Sequence, residues 1–327
     1  MDWRIKGCIQ GVLARVPFGI PINDALQKMS GGRVDEGAHI DIKFRNDWLV
    51  LMDMLAGLDF RVQDKELMEV GTGWLPVLPL CFALAGARRV HTFDLNRHLR
   101  HSAVPGALKR LELHLTELAK ACGQPESEVR QRYAHLSAAA SGAELLERAG
   151  MIYHAPADAT VTGLPDASIS LVFSNSVLEH VPGTILGPMM RESRRIMTSD
   201  GLVLHSVNCG DHYAYFDRSI TPIHYLRFDK REWRKWNNDI LFQNRLRPSD
   251  FVSSAESEGL VLLRRMQTVR ADLLSGLALT PIAPEFRRYS NEELCTTSVT
   301  FAARCPCFQG DPPFRSTAVA RIFHPPP

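Results

Sequence analysis

The chain has 327 residues, 45% hydrophobic and 23% charged, which is enough apolar material for a substantial globular core. A formal net charge of +2 gives no broad basic footprint, so no nucleic-acid partner is expected. The longest apolar run, Trp74 to Ala87, is too short for a bilayer and carries Pro76 and Pro79; no transmembrane segment and no secretory leader are expected.

Residues 1–60 carry apolar side chains at helical spacing, as at Trp48, Leu49, Leu51, Met52, Leu55 and Leu58, with a loop at Gly31-Gly32. They are expected to form a helical cap on a main domain spanning 61–327. The cap either packs on the sheet or also covers a site. Leu67 to Val70 is then a short apolar run of the kind found in a strand covered on both faces. Gly71-Thr72-Gly73 breaks it with a sharp turn that lets backbone approach a ligand. Leu75 to Ala85 reads as a helix stopped by Gly86, Arg89 to Phe93 as the next strand, and Asp94 stands at its tip with Leu95 beside it. Strand, glycine turn, helix, strand and terminal carboxylate make half of a nucleotide-binding crevice. A dinucleotide fingerprint places a third glycine at position 76, where this chain has Pro76, a residue suited to a helix start.

Residues 97–150 read as a helix-rich insertion. Leu108, Leu111, Leu115 and Leu118 share one face, the segment closes over Ala119–Pro125, and a second helical piece is broken near Ser141-Gly142. Its histidines 98, 101, 114 and 135 are read as surface or packing residues. Met151–His154 and Ser168–Phe173 are the third and fourth strands, followed by Asp158-Ala159 and by Ser174-Asn175 respectively. The order implies a Rossmann-like α/β fold: a seven-stranded, mostly parallel sheet with helices on both faces and ligands beyond the strands' carboxyl ends.

Glu69-Val70-Gly71-Thr72-Gly73, Asp94, Asp158-Ala159 and the run ending Val177-Leu178-Glu179-His180-Val181 together resemble the motifs of class I S-adenosylmethionine (SAM)-dependent methyltransferases, the last run that of the bacterial small-molecule branch, and the segment HYAYFDRSITPIHYLRF (212–228) resembles bacterial methyltransferases associated with surface glycans and small metabolites. The resemblance covers residues 65–210 and is interrupted by the insertion. It implies SAM as cofactor, with Glu69 at the amino end, Gly71, Thr72 and Gly73 against the methionine portion, and Asp94 with Leu95 at the ribose. It further implies Asp158 and Ala159 at the adenine and Ser174 and Asn175 near the sulfonium. The acceptor is then a small molecule or sugar methylated at O or N.

Gly201 to Val207 is the fifth strand, and eight aromatic residues fall between Gly210 and Arg245. Segment 209–247 is expected to be a lid or acceptor wall, with Tyr213, Tyr215, His224 and Trp233 touching substrate; a packed extra helix pair is the alternative. A hydroxyl or amine acceptor needs a base, and histidine titrates in the right range. His212, paired with Asp211 or Asp217, is the first candidate and His180 the second. Residues 247–263 read as a helix followed by strand six, Thr296–Arg304 as strand seven, and Pro325-Pro326-Pro327 as a frayed tail.

Seven dispersed cysteines point to free thiols in a reducing compartment, hence the cytoplasm. The single close pair, Cys305-Pro306-Cys307, has the wrong spacing for zinc, so no metal is expected. Three other functions fit the same letters: a SAM enzyme attacking another carbon of SAM, a non-catalytic SAM-binding module, and a nicotinamide oxidoreductase.

Overall fold

The computed structural model describes residues 2–17, 22, 36–306 and 317–323. Gly31-Gly32, Cys307 and the terminal prolines lie outside them. Trp3–Leu13 (α1) is capped by the Asp2 carboxylate, which accepts from the Arg4 N–H. Glu36–Ile42 (α2), a π-helical stretch Lys43–Trp48 and Leu49–Ala56 (α3) continue as one bent helical run. Phe44, Trp48, Leu51, Met54 and Leu55 are fully buried in the core formed with the sheet, so residues 36–56 are part of the main body.

The sheet begins at Glu66–Val70 (β1), and Val77–Leu84 (α4) leads to Arg89–Phe93 (β2). The insertion forms Val104–Leu111 (α5), Leu115–Cys122 (α6), Glu126–Ser137 (α7) and Gly142–Arg148 (α8), with breaks at Gly123 and Ser141. Met151–His154 (β3), Ile169–Asn175 (β4), Gly183–Ile196 (α9) and Met197–Asn208 (β5) follow. Pro248–Glu256 (α10), Val261–Arg270 (β6) and Thr296–Arg304 (β7) complete the seven expected strands. An eighth, Thr317–Phe323 (β8), pairs in parallel with the outer side of β6.

Strand order is β3-β2-β1-β4-β5-β7-β6-β8. Among the described strands only β7 runs against its neighbours. Side chains alternate between faces as the strand period requires: Leu67, Leu171, Phe173, Leu202 and Leu204 join the core under α2–α8, whereas Met68, Val70, Val172 and Val203 join the core under α9 and α10. A third core gathers Trp3, Tyr213, Tyr225, Trp233, Val269 and Phe286 around the segment after β5.

Register decides where the site falls. Val70 is level with Phe93 on one side and Ser174 on the other, Phe93 with His154, and Ser174 with His205. The carboxyl ends of β3, β2, β1, β4 and β5 therefore finish on one row. The chain winds outward in opposite directions from β1 and β4, and a crevice opens at such a reversal.

Candidate functional site

The turn after β1 is built for close approach. Gly71 and Gly73 adopt φ of +79° and +70°, in the left-handed region. A Cβ on Gly71 would lie 2.4 Å from Val177 Cγ2, so the glycine also makes room for the loop after β4. The Gly71 N–H donates to the Phe93 carbonyl (2.8 Å), tying the turn to the tip of β2. Gly73 N–H reaches both oxygens of Asp94 (3.4 and 3.2 Å), and the Tyr153 hydroxyl donates to Asp94 Oδ2 (3.0 Å). Burial pushes the Asp94 carboxyl up, and these donors pull it part of the way back.

Glu69 lies on β1, 3% exposed, and its Oε2 has no hydrogen-bond partner. Burial pushes its carboxyl up to about 8, and the nearby Asp94 charge adds to the push. The Thr72 hydroxyl is buried beside Glu69 and draws that carboxyl part of the way back down. The remaining carboxyl oxygen at a glycine turn calls for a ligand with a donor. The Ala157 N–H donates to the Asp94 carbonyl (2.9 Å), which brings Asp158 and Ala159 beside Asp94. The Asp158 carboxylate is exposed and accepts from the Thr160 N–H and hydroxyl (both 2.8 Å), so it caps a turn at the same time. Leu95 is 71% exposed next to Asp94 and offers an apolar face at the same rim.

Beyond β4 and β5 the sequence-based expectations need correction. Ser174 is fully buried and its hydroxyl bonds His205 Nδ1 (2.8 Å), so its side chain does not face the crevice. Asn175 does reach the rim, donating to Asp47 Oδ2 (2.9 Å). Asp211 does not pair with His212. It is 1% exposed, accepts from the Tyr213 N–H and lies 3.3 Å from His224 Nδ1. Asp217 is also unavailable to His212: it accepts from the Trp3 N–H and caps Ser219. His212 instead sits edge-on to His180, with ring centroids 5.0 Å apart. Burial pushes its imidazole down to about 3, which makes it a poor base by itself.

The aromatic segment is mostly core. Tyr213 is buried and donates to the Trp236 carbonyl (2.7 Å), and Trp233 is buried with its indole N–H on the Gln243 carbonyl (3.3 Å). His224 packs edge-on to Trp3 at 4.8 Å, beneath α1. Of the expected substrate contacts, Tyr215 lines a cavity of about 340 Å³ at the carboxyl ends of β4 and β5, with Asn46, Asp47, Asn175, Asn208 and Thr268 also in its wall. A larger cavity, about 670 Å³, opens at the opposite edge beside Gly86 and Gly150.

Three groups escaped the sequence reading. Asp47 and Lys43, four apart on the π-helical stretch, bring charge from the cap to the crevice: the Lys43 charge acts on Glu69, Asp47 and Glu179. Charged residues interrupting an apolar stripe were the available signal, and π-helical turns recur at functional sites. Tyr153 was hidden because a strand tyrosine carries no motif. Glu179 stands inside a sequence motif; it is 2% exposed, and its carboxyl oxygens have only the poorly aligned Glu179 and Asn208 N–H groups beside them among the described residues. Its potential ligand atoms, with those of His180 and His212, all lie within 4.8 Å of one another. The expectation of no metal, argued from cysteine spacing, did not weigh this group.

Sheet order and loops define a doubly wound α/β protein whose switch point is flanked by the glycine turn, Glu69 and Asp94. No protein-family model matches the sequence, and no curated protein matches it. Among solved structures, a SAM-dependent methyltransferase from Mesorhizobium loti superposes with a TM-score of 0.42 at 16% identity, over 79% of this chain and 97% of that one. A putative SAM-dependent methyltransferase from Listeria monocytogenes gives 0.43 at 12% identity over 81% and 99%. A putative sarcosine dimethylglycine methyltransferase from Galdieria sulphuraria gives 0.42 at 15% over 78% and 83%. Likenesses of this size carry no assignment; the geometry above has to.

Proposed function

We propose that the protein is a SAM-dependent methyltransferase acting on O or N of a small polar, sugar-type acceptor. The observation that carries the reading is the pair of carboxyls at the glycine turn: Glu69, buried with an unpartnered oxygen, and Asp94, held by the Gly73 N–H and Tyr153. An ammonium is the matching charge for Glu69, and vicinal ribose hydroxyls match a carboxylate with two oxygens. A dinucleotide fingerprint has glycine where this chain has the buried Pro76 at the start of α4, which disfavours a nicotinamide cofactor. SAM, when bound, supplies an electrophilic methyl group on a sulfonium.

The chain's own contribution is alignment. Gly71, Thr72 and Gly73 hold the amino-acid end, and Asp94, Leu95, Asp158 and Ala159 the nucleoside. Asn175 and Asp47 border the polar cavity that receives the acceptor, and Tyr215 in its wall packs against His212. Correct placement supplies much of the acceleration in such a displacement. The cavity's amide and hydroxyl lining supports a hydroxyl-rich acceptor. All six cysteines among the described residues are free thiols, which supports the cytoplasm, and no described helix is long and apolar enough to cross a membrane.

Calorimetry with SAM, S-adenosylhomocysteine and NADH, followed by mass spectrometry of the cofactor product, tests the reading. Binding of the first two alone, a loss of about 10–100-fold in Asp94→Ala, and S-adenosylhomocysteine as product support it. Binding of NADH, or methylthioadenosine as product, rejects it.

A further inference from the structure

Glu179 and His180 occupy a one-turn 3-10 helix, Leu178–His180, just past β4, and His212 opens the 3-10 turn His212–Tyr215 just past β5. Because β4 and β5 are adjacent and parallel, these two turns are neighbours on the same edge. The three side chains face a common gap without bonding one another. Glu179 is 2% exposed, and the Glu179 and Asn208 N–H groups beside its carboxyl form no hydrogen bond of good geometry with either oxygen; His212 is 8% exposed, its Nε2 without a partner among the described residues. Burying a carboxyl group so weakly satisfied is costly, and such groups need an explanation.

The surrounding structure orients the set. His180 Nδ1 is 2.7 Å from the Phe242 carbonyl, an acceptor only, so Nδ1 carries the proton and the Nε2 lone pair is free. A carbonyl behind a histidine in this way is the usual support for a metal ligand. The next two residues hold the turns: Gln243 Oε1 accepts from the His212 N–H (3.3 Å), and the Asn244 N–H donates to the Glu179 carbonyl (2.9 Å). Asn244 Nδ2 also donates to the Leu178 and Val181 carbonyls (2.6 and 2.8 Å). One short segment therefore braces all three residues from behind. His180 is exposed, which provides a route of entry.

We infer that Glu179, His180 and His212 form a binding site for one divalent first-row transition ion. Two imidazoles and one carboxylate suit Zn²⁺, Co²⁺, Mn²⁺ or Fe²⁺, whereas Mg²⁺ and Ca²⁺ prefer oxygen donors. Ligands about 2.1 Å from such an ion stand roughly 3–3.4 Å apart. The present separations, up to 4.8 Å, close with side-chain movements of about an ångström. Three protein ligands leave coordination positions open. Tyr215 links the set to the 340 Å³ cavity: it lines that cavity, its ring lies 5.5 Å from that of His212, and its hydroxyl bonds Asn208. The ligand class for the open positions is an acceptor with adjacent oxygens; this last point rests on the methyltransferase reading, and the ion site itself does not.

The test is a titration of the EDTA-stripped full-length protein with CoCl₂, followed by visible d–d absorption, with MgCl₂ as comparison. One equivalent of tightly bound Co²⁺ is expected, displaced by Zn²⁺ and not by Mg²⁺. Glu179→Gln and His212→Gln each weaken it by about 100-fold or more, while His135→Gln, on the surface, leaves it unchanged. SAM calorimetry on the same variants, unchanged within about threefold, shows that the fold is intact. Without recourse to any variant, a Zn²⁺-soaked crystal gives an anomalous peak between the three side chains. Co²⁺ binding equal in all variants, or an anomalous map with no peak there, overturns the inference. Co²⁺ binding without SAM binding would leave the ion site standing and reject the proposed function; the reverse pattern would do the opposite.

Discussion

Replacing Gly71 with alanine tests the joint between the two loops of the crevice. The backbone at Gly71 has φ of +79°, which costs a residue with a Cβ about 1–2 kcal/mol. The added carbon would stand 2.4, 3.0 and 3.2 Å from Val177 Cγ2, Cγ1 and Cβ. Relieving overlap of that kind typically costs about 1–3 kcal/mol. Gly71→Ala is therefore expected to lose about 2–4 kcal/mol in urea unfolding followed by tryptophan fluorescence. Val177→Ala alone, at a half-buried site, loses about 1 kcal/mol. In the double variant the two methyl contacts vanish and only the 3.2 Å Cβ contact remains, so the effects fall short of additivity by about 1–2 kcal/mol. The φ strain stays, and SAM binding stays weakened in both Gly71 variants. An additive double variant, or a Gly71→Ala protein within 0.5 kcal/mol of the parent, would refute the geometry of this joint.

The Glu69 carboxyl, raised by burial to about 8, is protonated in the free protein at pH 6–7 and must ionise to pair with an ammonium. SAM affinity is expected to rise from pH 6 toward 8 by up to about tenfold per unit, with a proton released on binding. Glu69→Gln flattens the profile, and a flat profile in the parent protein counts against Glu69 as the ammonium partner. Arg247 is fully buried with no carboxylate partner for its guanidinium among the described residues; the guanidinium donates to the carbonyls of Cys209, Glu293 and Thr296 and to the Tyr225 hydroxyl. Arg247→Met orphans these acceptors and is expected to cost about 3–5 kcal/mol, with little recovery in Arg247→Lys; a loss under about 1 kcal/mol would show the clip to be dispensable. The Arg195 guanidinium beside Glu192, with Thr162, holds that carboxyl near about 2. Because the folded value lies below the unfolded one, its stabilisation is complete above about pH 4.5 and disappears as pH falls toward 2. Glu192→Gln should therefore show a shallower acid limb in unfolding titrations, and identical limbs would remove Glu192 from the account.

Much of the scaffold is legible because its signals are local. Apolar runs bounded by Gly71, Gly86, Gly123 and Ser141 locate strands and helices within a residue or two, since a turn's φ demands and a strand's two-faced burial act within a few residues. Strand β5 starts earlier than its apolar stretch, at Met197, because Met197 pairs with Ile169 ahead of an irregularity in register, and regular pairing resumes at Leu202. The eighth strand gave no usable sign, since pairing along the edge of β6 is a property of the partner.

The site divides along the same line. From the residue order alone one can place Gly71 and Asp94 at strand tips, since each directly follows its own strand, and Asp158 in the loop just beyond the third. Which way a polar side chain turns once there is another matter. Ser174 turned to His205, Asp211 to His224, and most of the aromatic segment into a core of its own. Lys43 and Asp47 reached the crevice from the far end of the chain, and Glu179 met His212 only because β4 and β5 lie side by side. A buried polar group takes whichever partner the packing brings within about 3 Å. That choice is made by chain segments distant in sequence, so only the assembled fold could decide it.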